Sequence, residues 1–204
     1  SASLVGSEMC IRDRKYGTGL QIIAHSAPDR FFDVGMAEQH AVTFAAGLAS
    51  QGMKPVVAIY STFLQRSYDQ IIHDVNLMNL GVLFAIDRAG LVPGDGETHQ
   101  GIYDPGFLSQ ISVPTYSPSN YEELRYWLHR LLSPASAGPR ALRYPRGGQS
   151  ARLARFGCTG QPYDCLRKEA GAKAALVSYA DEVEDTLEAA DQLAQQGIPC
   201  DVYK

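Results

Sequence analysis

An α/β fold, built on a mainly parallel sheet with helices on both faces, is what this 204-residue sequence predicts. Three observations carry that prediction. Short apolar runs alternate with stretches of helical periodicity, the rhythm of βαβ units. The runs at residues 56–59 and 82–86 are almost wholly apolar, as strands covered by helices on both faces must be. Composition is that of an ordinary globular protein, with 45% hydrophobic and 20% charged residues, which disfavours disordered, collagen-like and coiled-coil architectures.

Taken in order, residues 1–14 show neither helical nor strand periodicity and join abruptly to the next segment, which reads as a non-native or unmatched N-terminal segment. Residues 31–34 read as a strand. Residues 37–50 read as a helix because Ala37, Ala41, Phe44, Ala45, Leu48 and Ala49 recur at i, i+3, i+4 spacing, and Gly52 supplies a stop. A strand over 55–60 leads into a helix over 62–78, and a strand over 82–86 leads into a loop over 87–106. That loop holds five glycines and two prolines, and a loop so long within a compact domain is usually functional. A helix over 121–132 and a strand over 140–144 come next. Polar residues punctuated by Gly and Pro mark a linker, and a second βαβ pattern begins at 174, with a helix over 183–196, Gly197 as its stop and a strand from 200. The predicted organisation is a domain over 15–148, a linker over 149–173 and, over 174–204, the start of a truncated second domain too small to stand alone.

Eighteen Lys+Arg against 22 Asp+Glu leave a net charge of -4, and no stretch concentrates basic residues, so a nucleic-acid partner is not expected. No apolar window reaches the roughly 18 residues of a membrane span, and no signal peptide is apparent, which predicts a cytoplasmic protein without a membrane partner. The four cysteines form no Cys-x-x-Cys pair, so neither a zinc site nor a disulfide framework is indicated.

Glu38 lies at the start of a predicted helix that follows a strand. An acid there is favoured by the helix dipole, worth about 0.3–1 kcal/mol, yet it also stands where open α/β sheets bind ligands, outside the carboxyl ends of the strands. Tyr60 and Phe63 fall at the next strand–helix junction, where aromatics commonly serve as core. Arg88 directly ends one apolar strand and Arg146 follows another, so both project from the same edge; Arg66 is a weaker candidate beside them. Guanidinium groups bind phosphate bidentately. Asp95 and His99 sit in the glycine-rich segment 94–101, and an imidazole there could shuttle protons. His73 is expected to pack in the core or an interface, His40 is ambiguous, and His25 and His129 carry no functional reading.

Four blocks in register, DVGMAEQHAVTFAAGLA, KPVVAIYSTFLQRSYDQIIHDV, FAIDRAGLVPGDGETHQGIYD and ALRYPRG, resemble the pyrimidine-binding domain of the 1-deoxy-D-xylulose-5-phosphate synthase family, thiamine-diphosphate enzymes related to transketolase. Residues 174–204 resemble the start of that family's C-terminal domain. The resemblance implies a transketolase-like fold and a synthase that condenses pyruvate with glyceraldehyde 3-phosphate to 1-deoxy-D-xylulose 5-phosphate and carbon dioxide. That reaction opens the methylerythritol phosphate route to isoprenoids. It implies that Glu38 bonds the cofactor aminopyrimidine and promotes the tautomer that deprotonates the thiazolium carbon. Phe63 would stack on that ring with Arg66 on the same wall, Tyr60, Arg88 and Arg146 would clamp the substrate phosphate, and Asp95 and His99 would line the reacting carbon. The Gly-Asp-Gly and Asn motif that carries Mg2+ and the diphosphate in this family has no counterpart here, so metal binding is expected in a missing N-terminal domain, and the fragment alone is expected to turn over nothing. A homodimer is implied. The rival readings are the C-terminal half of a split transketolase, a 2-oxoacid dehydrogenase subunit, and a non-catalytic dimerisation module.

Overall fold

The computed structural model describes residues 8–12, 19–133 and 137–204. It divides into two compact units, one of residues up to Tyr116 with His129–Arg146, the other of Ser117–Leu128 with Gly147–Lys204.

Along the chain come β1 (Glu8–Arg12), α1 (Gln21–Ser26), β2 (Phe31–Asp33), α2 (Glu38–Ser50), β3 (Lys54–Tyr60), the short helices α3 (Ser61–Leu64) and α4 (Tyr68–Gln70), β4 (Leu83–Asp87), α5 (Asp104–Gln110), β5 (Thr115–Tyr116), α6 (Tyr121–Leu131) and β6 (Arg140–Arg143). The six strands of the first unit form one sheet in the order β2-β1-β3-β4-β6-β5, and every neighbouring pair is parallel. Ile11, Val57, Ile59, Phe84 and Ala141 of the sheet pack with Ala41, Val42 and Ala45 of α2 and with Leu64, Ile71, Val75 and Leu108. The small side chains on the inner face of α2 let its backbone approach the sheet closely. Gly52 ends α2 in the left-handed conformation, with its N–H on the Ala49 carbonyl at 3.0 Å and the Met53 N–H on that of Leu48 at 3.2 Å, a Schellman motif. Because the sheet is parallel, the segments after β2, β3, β4 and β6 all leave from one edge, where open α/β sheets collect their ligands.

Within residues 1–14, where no strand was expected, the structure has one. Glu8–Arg12 forms an inner strand, paired with β2 on one side and β3 on the other. Three apolar residues between two charges are too few to show a period, and the burial of Cys10 and Ile11 comes from pairing with neighbours distant in sequence. Residues 1–7 and 13–14 lie outside the described residues. The single helix expected over 62–78 is broken into α3, a 3-10 turn at Gln65–Ser67, α4 and a π-helical turn at Ile71–Asn76. The expected loop ends early, because Asp104 starts α5 with Pro105 at the first helical turn, where its missing N–H costs nothing.

The second unit carries β7 (Cys165–Arg167), β8 (Ala174–Val177), α7 (Glu182–Gln195) and β9 (Cys200–Tyr203). Its sheet runs β7-β9-β8, with β8 parallel and β7 antiparallel to β9. Leu153, Val183, Leu187, Ala190 and Val202 form its core. The segment 149–173, expected as a linker, therefore contributes a core leucine and a strand; three residues among Gly and Pro are too short to be read as one. Gly197 ends α7 as expected, with its N–H on Ala194 and that of Ile198 on Leu193, both at 3.0 Å. Among the described residues no helix is long and apolar enough to cross a membrane.

Candidate active site

At the carboxyl edge of the six-stranded sheet the structure brings together all eight residues singled out from the sequence, in one unbroken series of contacts. Glu38, at the first position of α2 and only 2% exposed, accepts a hydrogen bond on Oε1 from Arg66 Nη1 at 2.9 Å. The Arg66 guanidinium, half exposed, stands 4.9 Å from the centre of the Phe63 ring. Phe63 lies 5.8 Å from Tyr60 in a stacked arrangement and stands perpendicular to the His99 ring, with centroids 5.1 Å apart. The Arg88 guanidinium covers the Tyr60 ring at 3.8 Å. Arg88 Nε donates to Asp95 Oδ2 at 2.6 Å, and Arg146 Nη1 donates to the other oxygen of the same carboxylate.

Local structure explains each placement. Tyr60 is the last residue of β3, so the chain turns from strand to helix between it and Phe63, and both rings reach the same edge. Register pairs Tyr60 with Asp87 at the end of β4, which puts Arg88 one step beyond the sheet. The loop after Arg88 is closed by mutual backbone bonds between Gly90 and Gly101 at 2.8 Å. A Cβ on Gly101 would stand 2.0 Å from the Arg88 carbonyl oxygen, so only glycine permits that closure. Gln100 ties the loop internally, accepting from Val92 N–H at 2.7 Å and donating to the Gly96 carbonyl at 2.7 Å. His99 Nδ1 lies 2.8 Å from Thr98 Oγ1, and Thr62 Oγ1 donates to the Thr98 carbonyl at 3.1 Å, which holds the loop over α3.

The electrostatics divide along this series. Asp95 is held below the ordinary carboxylate range, first by the hydrogen bond from Arg88 and then by the charges of Arg88 and Arg146, against some burial. Two guanidiniums thus converge on one carboxylate, which balances one of their two charges. Asp87, by contrast, is pushed up by burial, partly offset by its bond to the Arg88 amide. Burial also pushes up the Tyr144 hydroxyl, with the neighbouring Asp87 adding to it.

A buried network lies beside this edge and is absent from the sequence reading. Asp104, fully buried, accepts from Ser61 Oγ at 2.6 Å and from Arg143 Nε at 2.9 Å, while Arg143 Nη2 reaches the Gly101 carbonyl at 3.2 Å. An arginine inside the otherwise apolar run at 141–144 was its one visible signal. His73 is not a core residue: its side chain is 61% exposed and pairs with Asp69 one helical turn away at 3.0 Å. His40 is exposed and stacks on Phe44 at 6.0 Å.

The residues present fit an aminopyrimidine. A nearly buried carboxyl whose partner is a half-exposed arginine, next to an aromatic ring bordered by a cation and an imidazole, suits a planar heterocycle that exchanges a proton and stacks.

Comparison with known proteins points the same way. The family model described as transketolase, pyrimidine binding domain, matches residues 6–149. The 1-deoxy-D-xylulose-5-phosphate synthase of Natranaerobius thermophilus is 49% identical over 191 residues, covering 93% of this chain and 30% of that protein. The synthase of Magnetococcus marinus is 49% identical over 194 residues, covering 92% and 30%. The chain thus spans about 30% of the length of these relatives. Among solved structures, a split gene transketolase described as an inactive beta4 tetramer superposes with a TM-score of 0.81 at 23% identity, over 97% of this chain and 64% of that one. Transketolase from Campylobacter jejuni superposes with a TM-score of 0.78 at 20% identity, over 97% and 32%. Those two structures bear on the fold alone, and they agree with the parallel sheet found here. With the family model spanning most of its length, this chain belongs to the transketolase pyrimidine-binding-domain family.

Proposed function

We propose that the protein containing this chain is a thiamine-diphosphate-dependent 1-deoxy-D-xylulose-5-phosphate synthase, joining the two-carbon unit left by pyruvate decarboxylation to glyceraldehyde 3-phosphate, at the entry to isoprenoid precursor synthesis. The observation that carries this reading is the continuity of the series from the Glu38 carboxyl, through the Phe63 and Tyr60 rings, to the two arginines around Asp95. One end suits a heterocycle and the other a phosphate, as the two ends of a single active site would.

When bound, thiamine diphosphate supplies the electron sink that lets a 2-oxo acid lose carbon dioxide. Glu38 exchanges a proton with the aminopyrimidine nitrogen, and Arg66 holds the carboxyl in place. Phe63 presents a stacking face, worth about 0.5–1.5 kcal/mol beyond the area it covers. His99, perpendicular to the Phe63 ring, moves a proton at the reacting carbon. Tyr60, Arg88 and Arg146 receive the substrate phosphate, which takes over the bonds that Asp95 makes. Asp95 keeps two like charges together until then. In the whole protein the Mg2+ and the diphosphate are held outside this chain, which alone is inactive, and the whole protein is a cytoplasmic homodimer.

A product assay tests the proposal. The full-length protein yields 1-deoxy-D-xylulose 5-phosphate and carbon dioxide from pyruvate plus glyceraldehyde 3-phosphate and does not transfer a ketol group between sugar phosphates; the reverse pattern assigns it to transketolase.

A further inference from the structure

Arg88 is one of four non-glycine residues among those described with a positive φ, at 57°. The left-handed conformation is unfavourable for a residue bearing a Cβ, and residues held in it cluster where a side chain must be aimed. Here it is needed in two ways. It turns the chain out of β4 so that the Arg88 carbonyl can meet the backbone of Gly101, and it lays the guanidinium over Tyr60 rather than along the strand direction.

The group that holds it is the preceding residue. Asp87 Oδ1 accepts the Arg88 backbone N–H at 2.7 Å, and Asp87 Oδ2 accepts from Arg88 Nη1 at 3.2 Å. One carboxylate therefore fixes the backbone and the far end of the same neighbour. Asp87 cannot swing away, because it ends a strand that is buried along all five residues and is itself 8% exposed. Arg88 is then clasped from both sides, by Asp87 on Nη1 and by Asp95 on Nε. The two acids differ in kind. Asp95 lies in the loop and can yield to an incoming anion, whereas Asp87 belongs to the sheet.

We propose that Asp87 is a positioning residue for the anion site: its carboxylate holds Arg88 in left-handed backbone with the guanidinium seated on Tyr60, so that the site stays assembled when a phosphate displaces Asp95. This rests on the reading of Arg88 as a phosphate ligand. Burial raises the proton affinity of Asp87, a cost to which its two bonds to Arg88 are the counterpart.

Two variants of the full-length protein test it. Asp87→Asn keeps an acceptor for the Arg88 amide but loses the charge, and Asp87→Ala loses both. The KM for glyceraldehyde 3-phosphate rises about 10-fold in the first and about 100-fold in the second, more than kcat falls, while the KM for unphosphorylated glyceraldehyde moves less than about twofold. A general structural defect would raise both KM values together, and that result overturns the proposal, as does no rise in either. Crystal structures of the same variants decide the geometry without reference to turnover. In Asp87→Ala the guanidinium leaves the Tyr60 ring, beyond the roughly 6 Å within which a cation–π contact holds; a seat and backbone unchanged from wild type contradict the proposal. Should Asp87→Ala not fold, Asp87→Asn decides by the same criteria. If the wild-type protein fails to condense the two substrates, the functional reading alone falls, and the variant structures still decide whether Asp87 positions Arg88.

Discussion

In the first unit the Asp95 carboxylate lies between Arg88 and Arg146; in the second, the Asp191 carboxylate lies between Arg152 and Arg167. The residue types are the same, and in both cases hydrogen bonds from arginine pull the carboxyl below its ordinary range, chiefly from Arg88 on Asp95 and from Arg167 on Asp191. Their surroundings differ. Arg88 and Asp95 are 11% and 13% exposed, Arg88 has a positive φ and an aromatic ring beneath it, and the cluster stands at the carboxyl edge of a parallel sheet. Asp191 is 43% exposed on α7, and its arginines are 30% and 22% exposed. A pair of arginines on an acid is thus no signature of anion binding. What distinguishes the first cluster is the deeper burial of Arg88 and Asp95, although Arg146 is 51% exposed, together with backbone held in a costly conformation at Arg88 and position on the sheet.

That contrast predicts a ranked set of outcomes. Glu38→Gln, at the far end of the series, keeps shape but loses proton exchange, and kcat of the full-length protein falls about 10²- to 10⁴-fold, measured by pyruvate consumption. Asp104→Ala leaves Arg143 buried without its carboxylate and destabilises the fold by about 3–5 kcal/mol in denaturant unfolding. Arg88→Ala raises the KM for glyceraldehyde 3-phosphate by about 10²-fold with a smaller change in kcat, and an unchanged KM breaks the comparison at its centre. Asp191→Ala leaves the thermal midpoint within about 2 °C and KM within about twofold, since exposed ion pairs contribute little. The smallest effect is in pH dependence. Because the folded pKa of Asp95 lies below its ordinary value, the stability it contributes is present above the usual carboxylate range and lost as pH falls through the depressed value. A carboxyl NMR titration of Asp95 has its midpoint below that of an ordinary exposed aspartate.

Much of this arrangement was legible in the sequence, and the parts that were not share a cause. The buried strands and α2 announced themselves by apolar runs and by the recurrence of alanines on one face. Gly52 and Gly197 marked helix ends because a left-handed C-terminal residue favours glycine whatever lies around it. Glu38, Arg88 and Arg146 were legible as sheet-edge positions from the strand–helix pattern, but the roles of the eight site residues came only from the resemblance of whole blocks to a family, since an isolated arginine or loop histidine has no local signature. Glu8–Arg12 and Cys165–Arg167 are strands by virtue of partners far along the chain, and no periodicity develops in three to five residues. Asp87, Asp104 and Arg143 look like ordinary charges until the fold buries them; their meaning lies in long-range contacts, as when Asp104 meets Ser61 across 43 residues.

The central claim is that Glu38 and Phe63 form the pyrimidine-binding wall of a thiamine-diphosphate site. Its most direct test is a crystal structure of the full-length protein with thiamine diphosphate bound. The account predicts the Glu38 carboxyl within hydrogen-bond distance of the aminopyrimidine ring nitrogen and the ring lying on the face of Phe63. A cofactor seated elsewhere, with Glu38 still bonded to Arg66 alone and Phe63 untouched, would contradict it.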